Sequence, residues 1–129
     1  MKNVLSILSL VFVFSFWSCN GQTKQGTIVQ DVNVKTFESL IKKGDVQLID
    51  VRTMHEYQHG HIEGCSLYNI RNSDFEDNME KLDKTKPVLV YCKSGGRSLR
   101  AANILIEKGF TQVYNLEGGF MAWDAEHKK

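Results

Sequence analysis

Five consecutive residues, Pro87-Val88-Leu89-Val90-Tyr91, form an apolar run that stops at Cys92. The loop Cys92-Lys93-Ser94-Gly95-Gly96-Arg97 follows, and the amphipathic stretch Ser98 to Gly109 comes directly after it. A short apolar run bounded in this way reads as a buried strand, and the stretch after the loop reads as a helix. A strand apolar on both faces needs cover on both, which points to a layered α/β arrangement with this strand near its middle. The same unit places Cys92 at the carboxyl end of the strand, where loop amides and a helix N-terminus converge. That environment favours negative charge and lowers a thiol pKa. Two glycines let the loop backbone curl inward. The pattern describes a nucleophilic thiolate in an anion-binding nest.

The rest of the chain alternates in the same manner. Strands are predicted at Thr27–Val29, Val46–Val51, Cys65–Ile70, Val88–Tyr91 and Gln112–Asn115. Asn33 reads as the N-cap of a helix with Val34, Phe37, Leu40 and Ile41 on one face, ended by Gly44. Thr53 with Glu56, and Ser73 with Glu76, each have capping-box spacing, so short helices are expected after Thr53, as far as about Gly60, and after Ser73. Ser98 is read as the first residue of the helix after the loop, which presents Leu99, Ala102, Ile104, Leu105 and Ile106. A last short helix is expected over Gly119 to Trp123. The alternation implies a mostly parallel five-stranded sheet with helices on both faces, and ligands in such sheets bind beyond the carboxyl ends of the strands. Cys92 lies at such an end.

The N-terminus reads differently. Lys2 precedes the apolar stretch Val4 to Trp17, which has the charged start and hydrophobic middle of a secretory signal. Ser18-Cys19 resembles a bacterial lipoprotein signal, in which the cysteine is lipidated, although Phe16 and Trp17 are bulkier than usual there. Residues 1–18 are therefore read as a signal peptide, Cys19 as a lipidation site and residues 19–27 as a polar tether. The expected location is the bacterial cell envelope, exported, lipid-anchored and facing the periplasm, with a soluble secreted or periplasmic protein as the alternative. Removing the signal peptide leaves one domain, with 15 basic residues after the loss of Lys2 against 15 acidic. That balance argues against nucleic acid as a partner.

Three motifs in order carry a family resemblance. Leu48-Ile49-Asp50-Val51-Arg52-Thr53 with Glu56-Tyr57 and Gly60-His61-Ile62-Glu63-Gly64 resembles the first signature of rhodanese-like domains. Asn115-Leu116-Glu117-Gly118-Gly119-Phe120-Met121-Ala122-Trp123 resembles their closing signature, and Cys92 to Arg97 resembles their active-site loop. The resemblance covers roughly residues 28–125. It implies the three-layer rhodanese fold and thiosulfate-type sulfurtransferase chemistry, without a cofactor or metal and with the protein acting as a monomer.

In that family a six-residue loop beginning with cysteine fits sulfur transfer, and a loop one residue longer resembles the related phosphatases and arsenate reductases. Cys92 to Arg97 is the short form. The resemblance implies that Cys92 attacks a small anionic donor such as thiosulfate, releases sulfite and carries a persulfide, which a thiol or cyanide then discharges. Lys93, Ser94, Gly95, Gly96 and Arg97 are the implied substrate-binding set. Arg97 has two readings held even, donor binding and a salt bridge that clamps the loop. The alternative function is a sulfur carrier without turnover, or a binding module.

Several residues read as structural. Arg52 is expected to form a buried ion pair with Glu56. His61 is expected to be a hydrogen-bonded structural histidine, and Trp123 a core anchor. His55 and His59 make no persuasive metal site. Arg71 is expected at the pocket rim. Cys65, a small buried hydrophobe by type, opens a strand that Cys92 would have to reach from the opposite end, which disfavours a disulfide between them.

Overall fold

In the computed structural model the described residues are 27–129, so the signal peptide, Cys19 and nearly all of the tether lie outside them. Five strands form one sheet in the order β1-β5-β4-β2-β3. They are β1 (Gln30–Val32), β2 (Gln47–Asp50), β3 (Ser66–Leu67), β4 (Val88–Tyr91) and β5 (Val113–Leu116). Every pairing is parallel. The apolar run is the central strand, and all four of its residues are fully buried. Its two faces serve two cores. Val88 and Val90 pack with Ile49 and Val113 beneath α3 (Phe75–Met79) and α4 (Gly96–Glu107). Leu89 and Tyr91 pack with Leu48 and Leu116 beneath α1 (Val34–Lys43) and α5 (Gly119–His127). This is the expected three-layer α/β architecture.

Local signals set most of the boundaries. Asn33 caps α1 by accepting from the Thr36 amide at 2.9 Å. The capping box at α2 (Met54–Gln58) is complete, with the Thr53 N–H donating to Glu56 Oε2 at 3.1 Å and the Glu56 N–H donating to Thr53 Oγ1 at 3.3 Å. The same spacing at Ser73 does not form a box. Phe75 N–H instead closes a turn on the Asn72 carbonyl at 3.2 Å, which makes Asp74 the cap residue and leaves it without a side-chain bond.

Other expectations shift. The strand expected at Thr27–Val29 does not form; β1 lies directly after it at Gln30–Val32, in register with Tyr114 to Leu116 of β5. β3 keeps only two residues of the predicted Cys65–Ile70 strand, because beyond Leu67 the chain bonds to the Asp50 and Val51 carbonyls as β2 ends. α5 runs on to His127, past the expected end at Trp123. α4 starts at Gly96, two residues before Ser98, so its buried positions are Ser98, Ala101, Ala102 and Leu105 while Leu99 is exposed. Trp123 is half-buried and meets Phe37 edge-on, with 6.4 Å between ring centroids.

Candidate active site

The site is built where β4 gives way to α4. Gly95 adopts a left-handed backbone (φ 110°), which turns the chain back over Cys92. The Gly95 N–H then donates to Cys92 Sγ at 3.1 Å, and Ser98 Oγ, one turn into α4, lies 3.3 Å from the same sulfur. Burial alone would push the Cys92 thiol up. It is outweighed by hydrogen bonds from the Ser98 hydroxyl and from the backbone amides of Ser98, Gly95 and Ser94, so the pKa lies below the ordinary thiol value. The sulfur also sits at the N-terminus of a twelve-residue helix, whose dipole favours an anion. Cys92 is only 1% exposed, so it can be approached only by a slender group.

The far end of the chain holds the loop in place. Phe120 N–H donates to the Cys92 carbonyl at 2.7 Å, and Met121 N–H donates to the Lys93 carbonyl at 3.0 Å. The first turn of α5 thus takes up two loop carbonyls and leaves the loop amides facing the sulfur. Such an approach requires glycine at 119. A Cβ there would lie 2.5 Å from the Lys93 carbonyl carbon, and the backbone has φ +60°. This role was not read from the sequence, although the Gly118-Gly119 pair in the closing signature was its signal. Asn115, buried at the end of β5, adds a long contact from Nδ2 to the Gly95 carbonyl at 3.4 Å and a shorter one to Asp31 at 2.8 Å.

The ion pairs differ from the expectation. Arg52 turns back to Asp50, with Nη2 donating to Oδ2 at 2.7 Å, and reaches the Gly60 carbonyl at 2.7 Å. Its guanidinium lies 4.4 Å from the Phe120 ring centroid. Asp50 is fully buried and Tyr91 Oη also donates to it at 2.8 Å, so an unpaired carboxylate there would be costly and Arg52 is drawn inward rather than to Glu56. Glu56 is left for Arg97, which grips it in a two-pronged pair at 2.8 and 2.6 Å. The Arg97 guanidinium and Thr53 hold the Glu56 carboxyl at about 2. This pair is the salt bridge that the clamp reading of Arg97 expects.

Lys93 and Ser94 are exposed, and Lys93 has no ion pair among the described residues. His61 is hydrogen-bonded as expected, to the Tyr57 carbonyl at 3.0 Å, but it is exposed and stacked on Tyr57. Arg71 is exposed and is not among the residues that line the cavity near Lys93. Cys65 and Cys92 are both free thiols. Cys65 packs on the opposite face of the sheet from Cys92 and is level with Leu89 in the strand register. At ~3.3 Å per residue and ~4.8 Å per strand the two are well beyond the roughly 7 Å that a disulfide allows. Because Tyr91 gives its proton to Asp50, the Cys65 thiol is the donor in its 3.3 Å contact with Tyr91 Oη. Burial pushes the Cys65 thiol up.

Known proteins resemble this chain in sequence and fold. Residues 33–126 match the rhodanese-like domain family. The chain is 42% identical over 88 residues to the thiosulfate sulfurtransferase GlpE of Coxiella burnetii, covering 68% of this chain and 80% of that protein. It is 34% identical over 128 residues to YqhL of Bacillus subtilis, covering 99% and 98% of the two chains. Among solved structures, a rhodanese-related protein from Thermoplasma volcanium superposes with a TM-score of 0.67 at 28% identity, over 76% of this chain and 93% of that one.

Proposed function

As the chain belongs to the rhodanese-like domain family, we propose that it is a sulfurtransferase that carries sulfane sulfur on Cys92. The observation that carries this reading is the convergence of the Gly95 amide and the Ser98 hydroxyl on one sulfur, inside a loop of six residues. The Cys92 thiolate attacks the outer sulfur of thiosulfate. A new S–S bond forms, the bond to the sulfonate sulfur breaks, and sulfite leaves with that electron pair. The persulfide anion then occupies the ring of donors that held the thiolate. A thiol or cyanide removes the outer sulfur and regenerates the thiolate, which makes the kinetics ping-pong.

The near-complete burial of Cys92 favours sulfur over phosphate chemistry, because a projecting sulfane sulfur can enter where a tetrahedral phosphoryl group cannot. Lys93 is the exposed cation next to the nucleophile and steers the dianionic donor, while Arg97 fixes the loop through Glu56. The name borne by the Coxiella burnetii relative supports thiosulfate as the donor class.

Intact-mass measurement after exposure to thiosulfate tests the first step. A gain of one sulfur atom is expected in the wild type and none in Cys92→Ser; an unmodified wild type would end the proposal. Sulfite release tests turnover: many equivalents per Cys92 mark an enzyme, and about one marks a carrier that does not discharge. For location, we propose export and lipidation at Cys19. Fatty-acid labelling that is equal in wild type and Cys19→Ser would refute it.

A further inference from the structure

Asn115 stands near the carboxyl end of β5 with 3% of its surface exposed. It pairs with Val90 of β4 across the sheet. Side chains alternate along a strand, so it shares the face of Val113, on which Cys92 and α4 also pack. An aliphatic residue is the ordinary occupant of such a position in a parallel sheet. The Asn115 amide has two protons on Nδ2 and two acceptors for them, Asp31 Oδ1 on the edge strand β1 at 2.8 Å and the Gly95 carbonyl at 3.4 Å. Its own oxygen, Oδ1, has no hydrogen-bond partner among the described residues. Turning the amide over would set that oxygen against a carboxylate and a carbonyl, neither of which can donate. The two acceptors therefore fix the orientation, at the cost of an unpaired buried oxygen. A buried polar group held at such a cost calls for a reason in its surroundings.

The reason lies at the Gly95 carbonyl. Three donors approach an oxygen with two lone pairs: Leu99 N–H at 3.0 Å, Ser98 Oγ at 3.1 Å and Asn115 Nδ2 at 3.4 Å. Leu99 N–H is fixed by the helix and Asn115 Nδ2 by Asp31. The Ser98 hydroxyl is free to rotate, and Cys92 Sγ lies 3.3 Å away. Its distance to the carbonyl is already long for an O–H···O bond, which favours ~2.5–3.0 Å. We propose that Asn115 is a positioning residue for the nucleophile: with its amide held by Asp31, it occupies the Gly95 carbonyl and turns the Ser98 proton onto the Cys92 sulfur. The inference rests on the sulfurtransferase reading and gives control of the sulfur to a residue that makes no hydrogen bond to it. The same proton serves the second half of the cycle, since Cys92 departs from the persulfide as a thiolate and a thiol of lower pKa leaves faster. The charged groups around the loop are engaged elsewhere or solvated. Arg97 of α4 is paired with Glu56 of α2, Arg52 is paired with Asp50 of β2, and Lys93 is exposed, while the turn of α5 that grips the loop brings the uncharged Phe120 and Met121. From β1, Asp31 reaches the site through Asn115.

A double-mutant cycle of Asn115→Leu and Ser98→Ala tests this. The Cys92 pKa is read in each protein from the pH dependence of iodoacetamide alkylation on the peptide that contains Cys92. Leucine keeps the branched shape of asparagine and removes both the donor and the unpaired acceptor. Asn115→Leu should raise the Cys92 pKa by about half a unit, a roughly threefold loss of thiolate well below both values, as expected at the weak end of a neutral hydrogen bond. In the Ser98→Ala background the same substitution should shift nothing, because Asn115 acts through the hydroxyl. An unchanged pKa in Asn115→Leu overturns the proposal and leaves Asn115 a tie between β1 and α4. An equal rise with and without the Ser98 hydroxyl overturns it too, since the effect would then bypass that proton. Should Asn115→Leu not fold, Asn115→Val, the residue type two positions earlier on the same face, carries the same two expectations. Thiosulfate takes no part in these titrations, so failure of wild-type Cys92 to gain sulfur overturns the proposed function and leaves the cycle to decide Asn115.

Discussion

Replacing Ser98 by alanine isolates one of the groups that lower the Cys92 pKa. The Ser98 hydroxyl has a single proton and two acceptors, Cys92 Sγ at 3.3 Å and the Gly95 carbonyl at 3.1 Å. Losing it does not strand that carbonyl, which still accepts from Leu99 N–H at 3.0 Å. A hydrogen bond to a charged group contributes ~1.5–3 kcal/mol, and sharing the proton places this one at the lower end. At 1.36 kcal/mol per pKa unit, the Cys92 thiol should rise by about one unit. The effect on rate has a sign that depends on pH. Well below both pKa values the variant has ~10-fold less thiolate, but each thiolate is ~3-fold more nucleophilic at a Brønsted coefficient near 0.4–0.5, so alkylation slows only ~3-fold. Above both values the variant reacts ~3-fold faster than the wild type. Iodoacetamide alkylation followed on the peptide that contains Cys92, across pH, reads the midpoint and the crossover together. Coincident curves for the wild type and Ser98→Ala would show that the hydroxyl does not stabilise the thiolate, and the electrostatic account of the loop would fail.

Two further substitutions probe the frame around the loop. Gly119→Ala forces a Cβ to within 2.5 Å of the Lys93 carbonyl carbon, so α5 and the loop must separate; a fall of roughly tenfold or more in thiosulfate kcat/KM is expected, with a stability loss of ~1–3 kcal/mol by urea unfolding. Glu56→Gln removes the partner of Arg97 but keeps an acceptor for the Thr53 amide. Because the native Glu56 carboxyl titrates at about 2, below its unfolded value, the pair stabilises fully above the unfolded carboxyl range of ~4.3 and loses that contribution as pH falls toward about 2. The stability gap between wild type and Glu56→Gln, ~1 kcal/mol or less for a pair this accessible, should therefore be widest near neutrality and shrink below pH ~4; a gap independent of pH would contradict the pairing.

What the sequence disclosed is what local chemistry determines. The unbroken apolar run marked a buried strand near the middle of the sheet, and its end fixed the position of Cys92. Asn33 and Thr53 capped as their types predict because their partners lie three residues away. Ser73 has the same spacing as Thr53 and failed, since a tight turn at Asn72 shifted the helix start by one residue. The partner of Arg52 was misread because spacing along α2 offered Glu56, whereas the deciding fact was the burial of Asp50 under Tyr91. Arg97 meets Glu56 across 41 positions of chain, and no periodicity marks such a contact. The cavity beside the loop combines α2 and α5, which only the finished sheet brings together.

The grip of α5 on the Cys92 and Lys93 carbonyls ties the nucleophile to the far end of the sequence. The donors that lower the Cys92 pKa come from the loop and α4, so loss of α5 would free the loop backbone without removing any one of those donors.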